Sequence, residues 1–482
     1  MSRTWSPYQQ NVFQFIESGT GNAVVNAVAG SGKSTTIEHG MKLVPEAVST
    51  VFLAFNKPIA DDLKERGLNA KTFHSMCYGV VTKHKNCRNM DTLKTRKIVD
   101  ANLPGKEAFI YSQFICKLVG LAKQSGIGCL LPDVTDSWLD LVIQHDLEID
   151  HEEGDIGRGI ELASEVLTLC NASNMLDFDD LLYIAVKDGL PLPKYGFVFV
   201  DEAQDTNAIQ RAILRKIMGP RSRLIAVGDP AQAIYGFRGA DSNSLRILAE
   251  EFKCITLPLT VSYRCPESVI SYARQWVSHI ESAPGAEKGF VEELGTNWKP
   301  AILQANDLVV CRTTMPLIGL ALKLMLARIP VSIMGRDIGQ GLTSLIEKQK
   351  ASNLDDLGDK LNVWRIRETE KALARMEEEK VETIEDKVSA IHCLIDGLNE
   401  DERTIAALLQ LVEKMFSQGR NVVILATIHK SKGLEANRVF WLNRSKCPSK
   451  WAKQDWQKDQ ERNLCYVAAT RAKKSLHIIE ER

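Results

Sequence analysis

A glycine-rich loop followed by a lysine and a hydroxyl side chain lies in the first forty residues. The segment Ala27-Val-Ala-Gly-Ser-Gly-Lys-Ser34 matches the G-x-x-x-x-G-K-[ST] pattern, except that Ala27 stands where the first glycine is expected. Glycines let backbone amides approach a phosphate, the lysine reaches its oxygens, and the serine hydroxyl can ligate Mg²⁺. A tight strand-to-helix turn is the alternative, but the flanking strand and helix patterns favour nucleoside triphosphate binding. The predicted nucleotide contacts here are Ala29, Gly30, Ser31, Gly32, Lys33, Ser34 and Thr35.

Two adjacent carboxylates directly follow the apolar run YGFVFV. Asp201 is predicted to hold Mg²⁺ together with Ser34, and Glu202 to activate a water molecule for attack on the γ-phosphate. The alternative, an acidic helix N-cap, fits Asp205 and Thr206 better than the first two acids. The loop and the acids together predict hydrolysis of a nucleoside triphosphate, without revealing its purpose.

Continuous apolar runs must position these residues. Such runs, separated by helical patterns, are typical of parallel strands covered on both faces, so they predict two parallel sheets. In the first part of the chain they are AVV after Asn22, TVFLAF at Thr50, YGFVFV and RLIAVGD, and in the second DLVVCR at Asp307, IPVSIMG at Ile329, NVVILATIH at Asn421 and NRVFWLN at Asn437.

Two charged helical stretches interrupt the strand patterns, and we expect them to be insertions. In the second stretch, apolar residues spaced by three and four fall on one helix face; a packed helical hairpin is favoured over a dimerising coiled coil because the pattern is too short for the latter. These residues are Val381, Ile384, Val388, Ile391, Ile395 and Leu398.

Composition excludes several classes of protein. The 482 residues carry 60 Lys and Arg against 61 Asp and Glu, a net charge of −1, so a nucleic-acid partner would need a local groove. The 11 cysteines are scattered singly, which argues against zinc sites and a disulfide framework and favours a reducing compartment. Without a signal-peptide pattern or a membrane-spanning apolar stretch, we expect a soluble cytoplasmic protein with no membrane partner.

Several ordered segments resemble superfamily 1 helicases of the UvrD/Rep/PcrA type over nearly the whole chain. Besides the loop and the acids they are GDPAQAIYGFRG from Gly228, Tyr263-Arg264, TIHKSKGLE from Thr427 and YVAATR from Tyr466. The first and last look especially like the compact members related to F-box helicases. The resemblance implies an α/β fold with two RecA-like parallel-sheet P-loop NTPase core domains. The first core domain is expected to comprise residues 1–80 and 177–258, with a helical insertion at 81–176. The second is expected to comprise residues 259–345 and 415–482, with a small helical insertion at 346–414.

The resemblance also implies roles around the nucleotide. Arg264 and Arg471 would reach the γ-phosphate from the second core domain, which would couple hydrolysis to domain closure. The alternative is that Tyr263 and Arg264 are only an exposed pair at the start of a helix. By the same resemblance, Gln9 would read the adenine, with Gln10 one register away, and Tyr263 would stack on it. Gln232 would sense the γ-phosphate, and the Glu435 carboxylate would lie near the ribose.

Single-stranded DNA would contact both core domains. The implied contacts are Thr72, Phe73, His74, Phe237, Arg238, Thr427 and His429, each of which could instead be a core or capping residue. The sequence departs from the family's pattern at four points. Phe237 stands where the family usually has a tryptophan, and Thr35 where many relatives have an arginine that packs on adenine. Phe55 lies one residue after the position of the family's aromatic, and the second insertion is shorter than in relatives. The stretch from Arg444 to Lys458 interleaves cations with Trp451 and Trp456, which suits either DNA binding or a solvated loop with one Trp packed inward.

These observations predict an ATP- and Mg²⁺-dependent DNA helicase that moves 3′ to 5′ on single strands and acts at single-strand/duplex junctions. We expect a monomer, with replication or repair proteins as candidate partners. A non-unwinding ATP-gated clamp or protein-stripping translocase is the first alternative, favoured by the short second insertion. The second, a P-loop kinase or switch GTPase, would need neither Arg264 nor Arg471.

Overall fold

The computed structural model describes residues 4–145, 147–149, 151, 153–234, 243–374, 378–398, 403–417, 419–450, 452 and 454–481. The chain divides into two compact units. The first comprises Met1–Ala27 and Gly32–Leu259, and the second Val28–Ser31 and Thr260–Arg482. Among the described helices, none combines the length and apolar character that a membrane crossing requires.

The first unit contains a parallel sheet covered by helices. Its strands are β1 (Asn22–Ala27), β2 (Thr50–Leu53), β3 (Ala70–Lys71), β4 (Tyr195–Val200), β5 (Met218–Gly228) and β6 (Cys254–Leu259). Its helices are α1 (Pro7–Ser18), α2 (Lys33–Leu43), α3 (Lys57–Glu65), α4 (Phe73–His84), α5 (Lys94–Asn102), α6 (Gly105–Ser125), α7 (Thr135–Gln144), α8 (Ile156–Ala172), α9 (Phe178–Lys187), α10 (Ala208–Ile217) and α11 (Ser244–Glu251). The strand order is β3-β2-β4-β5-β1-β6, and every pairing is parallel.

Both faces of this sheet are buried, which explains the continuous apolar runs. In β4, Phe197 and Phe199 face the core beneath α1 to α3, whereas Val198 and Val200 face the core shared with α4 to α10. Successive side chains of a strand point to opposite faces, so a strand covered on both sides needs an apolar residue at every position.

The second unit repeats this architecture. Its strands are β7 (Val261–Ser262), β8 (Glu281–Ser282), β9 (Phe290–Gly295), β10 (Leu308–Cys311), β11 (Val331–Ile333), β12 (Val423–Thr427), β13 (Ala436–Leu442) and β14 (Ala472–Ile479). Its helices are α12 (Glu267–Ala273), α13 (Met315–Leu326), α14 (Arg336–Lys348), α15 (Leu354–Ala374), α16 (Glu378–Asp396), α17 (Ile405–Met415), α18 (Ile428–Ser431) and α19 (Asp455–Ala469). The main sheet has the order β11-β12-β10-β13-β14-β9, all parallel, and β7 pairs with β8.

The apolar stripe of the second helical stretch is buried where the sequence places it. Val388, Ile391 and Ile395 of α16 lie in one core with residues of α13, α15 and the sheet. Ile384, one turn earlier in the helix, is buried as well. The helices α15 and α16 pack against each other. The prediction of a packed hairpin is therefore confirmed, as is the α/β class with two parallel sheets; the exact domain bounds stay predictions.

Candidate functional site

The predicted phosphate loop connects β1 to α2. Gly30 and Gly32 both adopt a left-handed backbone conformation, with φ of 72° and 79°, which favours glycine over any residue with a Cβ. Gly32 is the N-cap of α2, and Lys33 and Ser34 form the first helical positions. The amides of a helix start together with a lysine make a site that favours an anion.

The acids that follow β4 lie beside this lysine. Lys33 Nζ is 3.2 Å from Glu202 Oε1, and the Ser34 hydroxyl donates a hydrogen bond of 3.3 Å to Asp201 Oδ2. Glu202 has a φ of 49°, a conformation that costs free energy for a residue with a side chain and is concentrated at functional sites. The N-cap of α10 is Asn207, so the capping interpretation of Asp205 and Thr206 is wrong in detail.

Burial and like charge dominate the electrostatics of this cluster. Burial, together with the charge of Glu202, raises the pKa of Asp201 to about 6. Burial also raises the pKa of Asp229. For Lys33, burial alone would lower the pKa, but the charges of Glu202, Asp229 and Asp201 raise it above its ordinary value. Two buried carboxylates, Asp201 and Asp229, and the partly exposed Glu202 around one lysine leave an excess of negative charge, which a divalent cation would neutralise.

The donor set fits Mg²⁺. The ion takes oxygen ligands and keeps several of its waters, so one hydroxyl and one carboxylate suffice in the protein. Ser34 and Asp201 supply these two oxygens within hydrogen-bonding distance of each other. No group of three or more His, Cys, Asp or Glu that could hold a metal occurs among the residues that the structure describes.

Gln232 lies in the same network. Its amide Nε2 donates to Asp229 Oδ2 at 2.7 Å, and the backbone N–H of Asp229 donates to Gln204 Oε1 at 3.0 Å. The amide of Gln204 in turn donates to Glu202. Sequence reasoning missed Gln204 and Asp229, although both belong to the motifs that it used. They connect the predicted phosphate sensor to the predicted base.

Gln9 is buried against the phosphate loop, whereas Gln10 is exposed. Gln9 Nε2 donates to the Thr36 hydroxyl at 3.0 Å, and Gln9 Oε1 accepts the N–H of Ser6 at 3.1 Å. A Cβ on Gly32 would lie 3.5 Å from Gln9 Nε2. The capping box of α1 therefore holds the Gln9 amide beside the loop, and of the two neighbouring glutamines the structure favours Gln9 as the predicted adenine reader.

Within the second unit, Arg264 and Arg471 both contact Thr470. Arg264 donates to the Thr470 carbonyl at 3.4 Å, and its Nε lies 2.7 Å from Glu435 Oε2. Arg471 is 1% exposed and donates to the Thr470 hydroxyl at 3.2 Å and to the carbonyl of Val467 at 2.9 Å. The structure thus brings the two predicted arginines together, one paired with a carboxylate and one among polar backbone groups.

Residues Val28–Ser31 of the phosphate loop have their contacts inside this second unit. The Tyr263 N–H donates to the Gly30 carbonyl at 2.8 Å, and the Ala29 N–H donates to the Tyr466 hydroxyl at 2.8 Å. A Cβ on Gly30 would lie 2.5 Å from the Arg264 Cβ, so only glycine fits there. Tyr263 is 47% exposed.

The first predicted DNA segment is divided between structural and exposed positions. The Thr72 hydroxyl caps α4 by accepting the Ser75 N–H at 3.1 Å, and Phe73 is a core residue with 7% exposure. His74 is partly exposed, burial lowers its pKa, and its ring makes an edge contact with Phe178 at 6.1 Å. Phe178 is 55% exposed at the first position of α9, and sequence reasoning did not identify it.

The second predicted DNA segment lies at the carboxyl end of β12. The Thr427 hydroxyl caps α18 by accepting the Lys430 N–H at 3.4 Å, and His429 is partly exposed in that helix. Phe237 and Arg238, also predicted to contact DNA, lie outside the described residues.

The stretch of cations and tryptophans after β13 has at least one structural member. The Arg444 guanidinium lies 4.7 Å from the ring centre of Trp441 and 5.6 Å from that of Trp276, and it donates to the Cys447 carbonyl. The Trp456 indole N–H donates to Gln454. Trp451 is outside the described residues. Arg444 therefore packs on aromatic rings of its own unit.

Two family models match the two parts of the chain. The family model described as the UvrD/REP helicase N-terminal domain matches residues 7–253, and that of the UvrD-like helicase C-terminal domain matches residues 258–482. The chain is 27% identical to a probable DNA helicase II homolog of Mycoplasma genitalium over 61% of this chain and 46% of the relative, and 25% identical to the ATP-dependent DNA helicase Rep of Escherichia coli over 63% and 47%. It is 25% identical to F-box DNA helicase 1 of Gallus gallus over 94% of this chain and 46% of that protein. The chain thus spans about half the length of the curated relatives it matches.

Proposed function

Because the chain belongs to the UvrD/REP helicase family, we propose that it is an ATP-dependent DNA helicase that moves 3′ to 5′ along single strands and unwinds duplex at junctions. The observation that carries the proposal is the cluster of Lys33, Asp201 and Glu202 at the start of α2, in which Asp201 is buried. We propose that the protein works inside the cell as a monomer and that replication or repair proteins are its partners.

Each residue of the cluster has a distinct proposed role in hydrolysis. Lys33 binds the β- and γ-phosphates, Ser34 and Asp201 hold Mg²⁺, and Glu202 accepts a proton from the attacking water. Mg²⁺, when bound, neutralises charge on the phosphate oxygens. Arg264 and Arg471 stabilise the charge that grows on the γ-phosphate, and Gln232 senses it. The Lys33–Glu202 ion pair must open as ATP takes the lysine, which releases the carboxylate to act as a base.

His74 and Phe178 are the proposed contacts for DNA bases on the first unit. An imidazole and an exposed phenyl ring in contact offer an aromatic surface on which a base can stack, and every base has a π-face. Thr427 and His429 at the end of β12 form the proposed contact on the second unit. Stacking does not distinguish DNA from RNA, so the strand type must be tested directly.

ATP hydrolysis measured with single-stranded DNA, duplex DNA and RNA side by side tests the proposal. We expect stimulation by single-stranded DNA, and a loss of at least about 100-fold in Lys33→Ala, because charge stabilisation at the transferring phosphate is lost. Lys42→Ala is the matched control, since Lys42 lies on α2 in an exposed ion pair with Glu38. Equal hydrolysis in Lys33→Ala and the parent would contradict the proposal.

Translocation on 3′- and 5′-labelled single strands tests the direction, and strand displacement from a forked substrate tests unwinding. A non-unwinding clamp predicts ATP hydrolysis without displaced strands. Movement towards the 5′ end with displaced strands is the expected result, and absence of movement on both substrates would refute translocation.

A further inference from the structure

One carboxylate in the second unit is shared by two cations. Glu435 Oε2 is 2.7 Å from Arg264 Nε, and Glu435 Oε1 forms an ion pair with Lys473 Nζ. The side chains of Arg264, Glu435 and Lys473 are 21%, 37% and 42% exposed. Lys473 has no role in the proposed mechanism, and Glu435 was predicted from resemblance to lie near the ribose. In this structure both of its oxygens face cations of its own unit.

The carboxylate is charged at neutral pH. Burial alone would raise the pKa of Glu435, but Lys473 and Arg264 together lower it. An arginine whose Nε is paired with a carboxylate offers less positive charge to an incoming phosphate, since the carboxylate neutralises it at close range. To serve the γ-phosphate, Arg264 must leave Glu435.

We infer that Glu435 is a resting-state latch on Arg264 and that Lys473 is a positioning residue that keeps the carboxylate when Arg264 moves to the nucleotide. This inference rests on the proposed function, because it assumes that Arg264 serves the γ-phosphate. Lys473 lowers the cost of the exchange: with it, the carboxylate left by Arg264 is still paired. Without it, Glu435 has one cation fewer and holds Arg264 more tightly.

The first test compares two neighbouring lysines. Lys473 and Lys474 are successive exposed residues of β14 and so point to opposite sides of the strand. We expect Lys473→Ala to lower kcat for DNA-stimulated ATP hydrolysis about two- to fivefold with KM for ATP nearly unchanged, which is the range of an exposed ion pair. Lys474→Ala should match the parent, and Lys473→Arg should restore kcat. The melting temperature should stay constant in all three, since exposed pairs contribute little stability.

The second test removes the latch. Glu435→Gln keeps the size of the side chain but loses its charge, so we expect ATP hydrolysis without DNA to rise about threefold and the stimulation by DNA to shrink. A contact between Glu435 and the ribose predicts another result. The parent protein would then bind 2′,3′-dideoxy-ATP more weakly than ATP. Glu435→Gln would have a higher KM for ATP and would no longer distinguish the two nucleotides. That pattern would overturn the inference.

The double variant shows whether Lys473 acts through Glu435. In Glu435→Gln the added change Lys473→Ala should have no further effect on kcat, because the carboxylate that it serves is gone. An equal effect of Lys473→Ala in both backgrounds would refute the positioning role. Failure of the proposed function gives a separate signature, since the parent would then show no DNA-stimulated hydrolysis at all.

Discussion

Carboxylates stabilise two helical segments, one between β3 and β4 and the other between β11 and β12. The carboxylates of the two segments face different partners. In the first segment Asp180 of α9 lies 2.7 Å from Lys94 of α5 and 2.8 Å from Lys123 of α6, and Lys123 also contacts Asp177 at 2.7 Å. Lys94, Lys123 and Asp180 are buried completely or nearly so. Three helices are thus joined by ion pairs without access to water.

The second segment uses carboxylates as caps. Asp386 of α16 accepts the N–H of Thr314 at 2.8 Å and that of Met315 at 2.7 Å, at the start of α13, which has no side-chain cap of its own. One turn earlier, Glu382 accepts a hydrogen bond of 3.1 Å from the Ser449 hydroxyl. A carboxylate at a helix N-terminus gains from the helix dipole without requiring a buried cation.

The difference lies in what is lost when one partner is removed. Deleting one member of a buried ion pair leaves the other charge buried and unpaired, whereas deleting a cap leaves two amides that water can partly reach. The first segment is therefore expected to be the more sensitive of the two to single substitutions.

Asp180→Ala should have the largest effect, a loss of about 3–5 kcal/mol in the free energy of unfolding, because Lys94 loses its carboxylate inside the core. Chemical denaturation measures it. Asp100→Ala is the matched control, since Asp100 pairs with Arg96 on the exposed surface of α5 and should change stability by less than about 1 kcal/mol. A loss of similar size in both variants would remove the distinction between buried and exposed pairs.

Asp386→Ala should cost roughly 2–3 kcal/mol, less than Asp180→Ala, because it removes two charge-assisted hydrogen bonds but leaves no buried cation unpaired. Asp386→Asn retains one acceptor and should lose about half as much. Asp396→Ala, at the exposed end of the same helix, is the control. If Asp386→Ala were as destabilising as Asp180→Ala, the ranking of the two segments would be wrong.

Most interior strands of the two main sheets could be predicted from the sequence, and most edge strands could not. The apolar runs identified β1, β2, β4 and β5 in the first unit and β10 to β13 in the second, because a strand buried on both faces must be apolar throughout. The strands missed in the main sheets are β3, β6 and β9, which lie at sheet edges, and β14, which is interior and pairs with β9. The short strands β7 and β8 were missed too, whereas the edge strand β11 was identified. The edge strands β6 (CITLPL) and β9 (FVEELG) expose Ile255 and Phe290 and carry Thr, Pro or Glu among their apolar residues, so no continuous apolar run marks them.

The local part of the candidate site was predictable, and its long-range pairs were not. The loop and acid motifs fix which residues surround Lys33, because each follows a strand at the same edge of one sheet. The contact between Glu435 and Lys473 joins residues far apart in sequence, and no spacing rule predicts it. The capping of α13 by Asp386 could not be predicted either. Asp386 lies beside the apolar stripe of α16, at a position where a charged residue is ordinarily solvated.

A pH dependence separates two carboxylates of the first segment: Asp180, which forms ion pairs with Lys94 and Lys123, and Asp179, which accepts a hydrogen bond from Gln124. Burial, together with the charge of Asp177, raises the pKa of Asp179 to about 6 from an ordinary value of 3.8. For Asp180, burial would raise the pKa, but Lys123 and Lys94 lower it. The folded protein therefore binds a proton at Asp179 between pH 4 and 6 that the unfolded chain does not, so this group lowers stability as the pH rises through that window.

Asp179→Asn should remove that dependence. We expect the variant to be more stable than the parent by roughly 1–2 kcal/mol at pH 7–8, because the uncharged amide avoids the cost of a buried carboxylate, with the difference shrinking towards zero near pH 4 where Asp179 is neutral. Thermal unfolding of both proteins from pH 4 to 8 measures the difference. Asp140→Asn removes a carboxylate from the exposed surface of α7 and serves as the control. A stabilisation that is equal at pH 4 and pH 8 would show that the Asn acts by packing rather than by charge, and the contrast between Asp179 and Asp180 would then have no electrostatic basis.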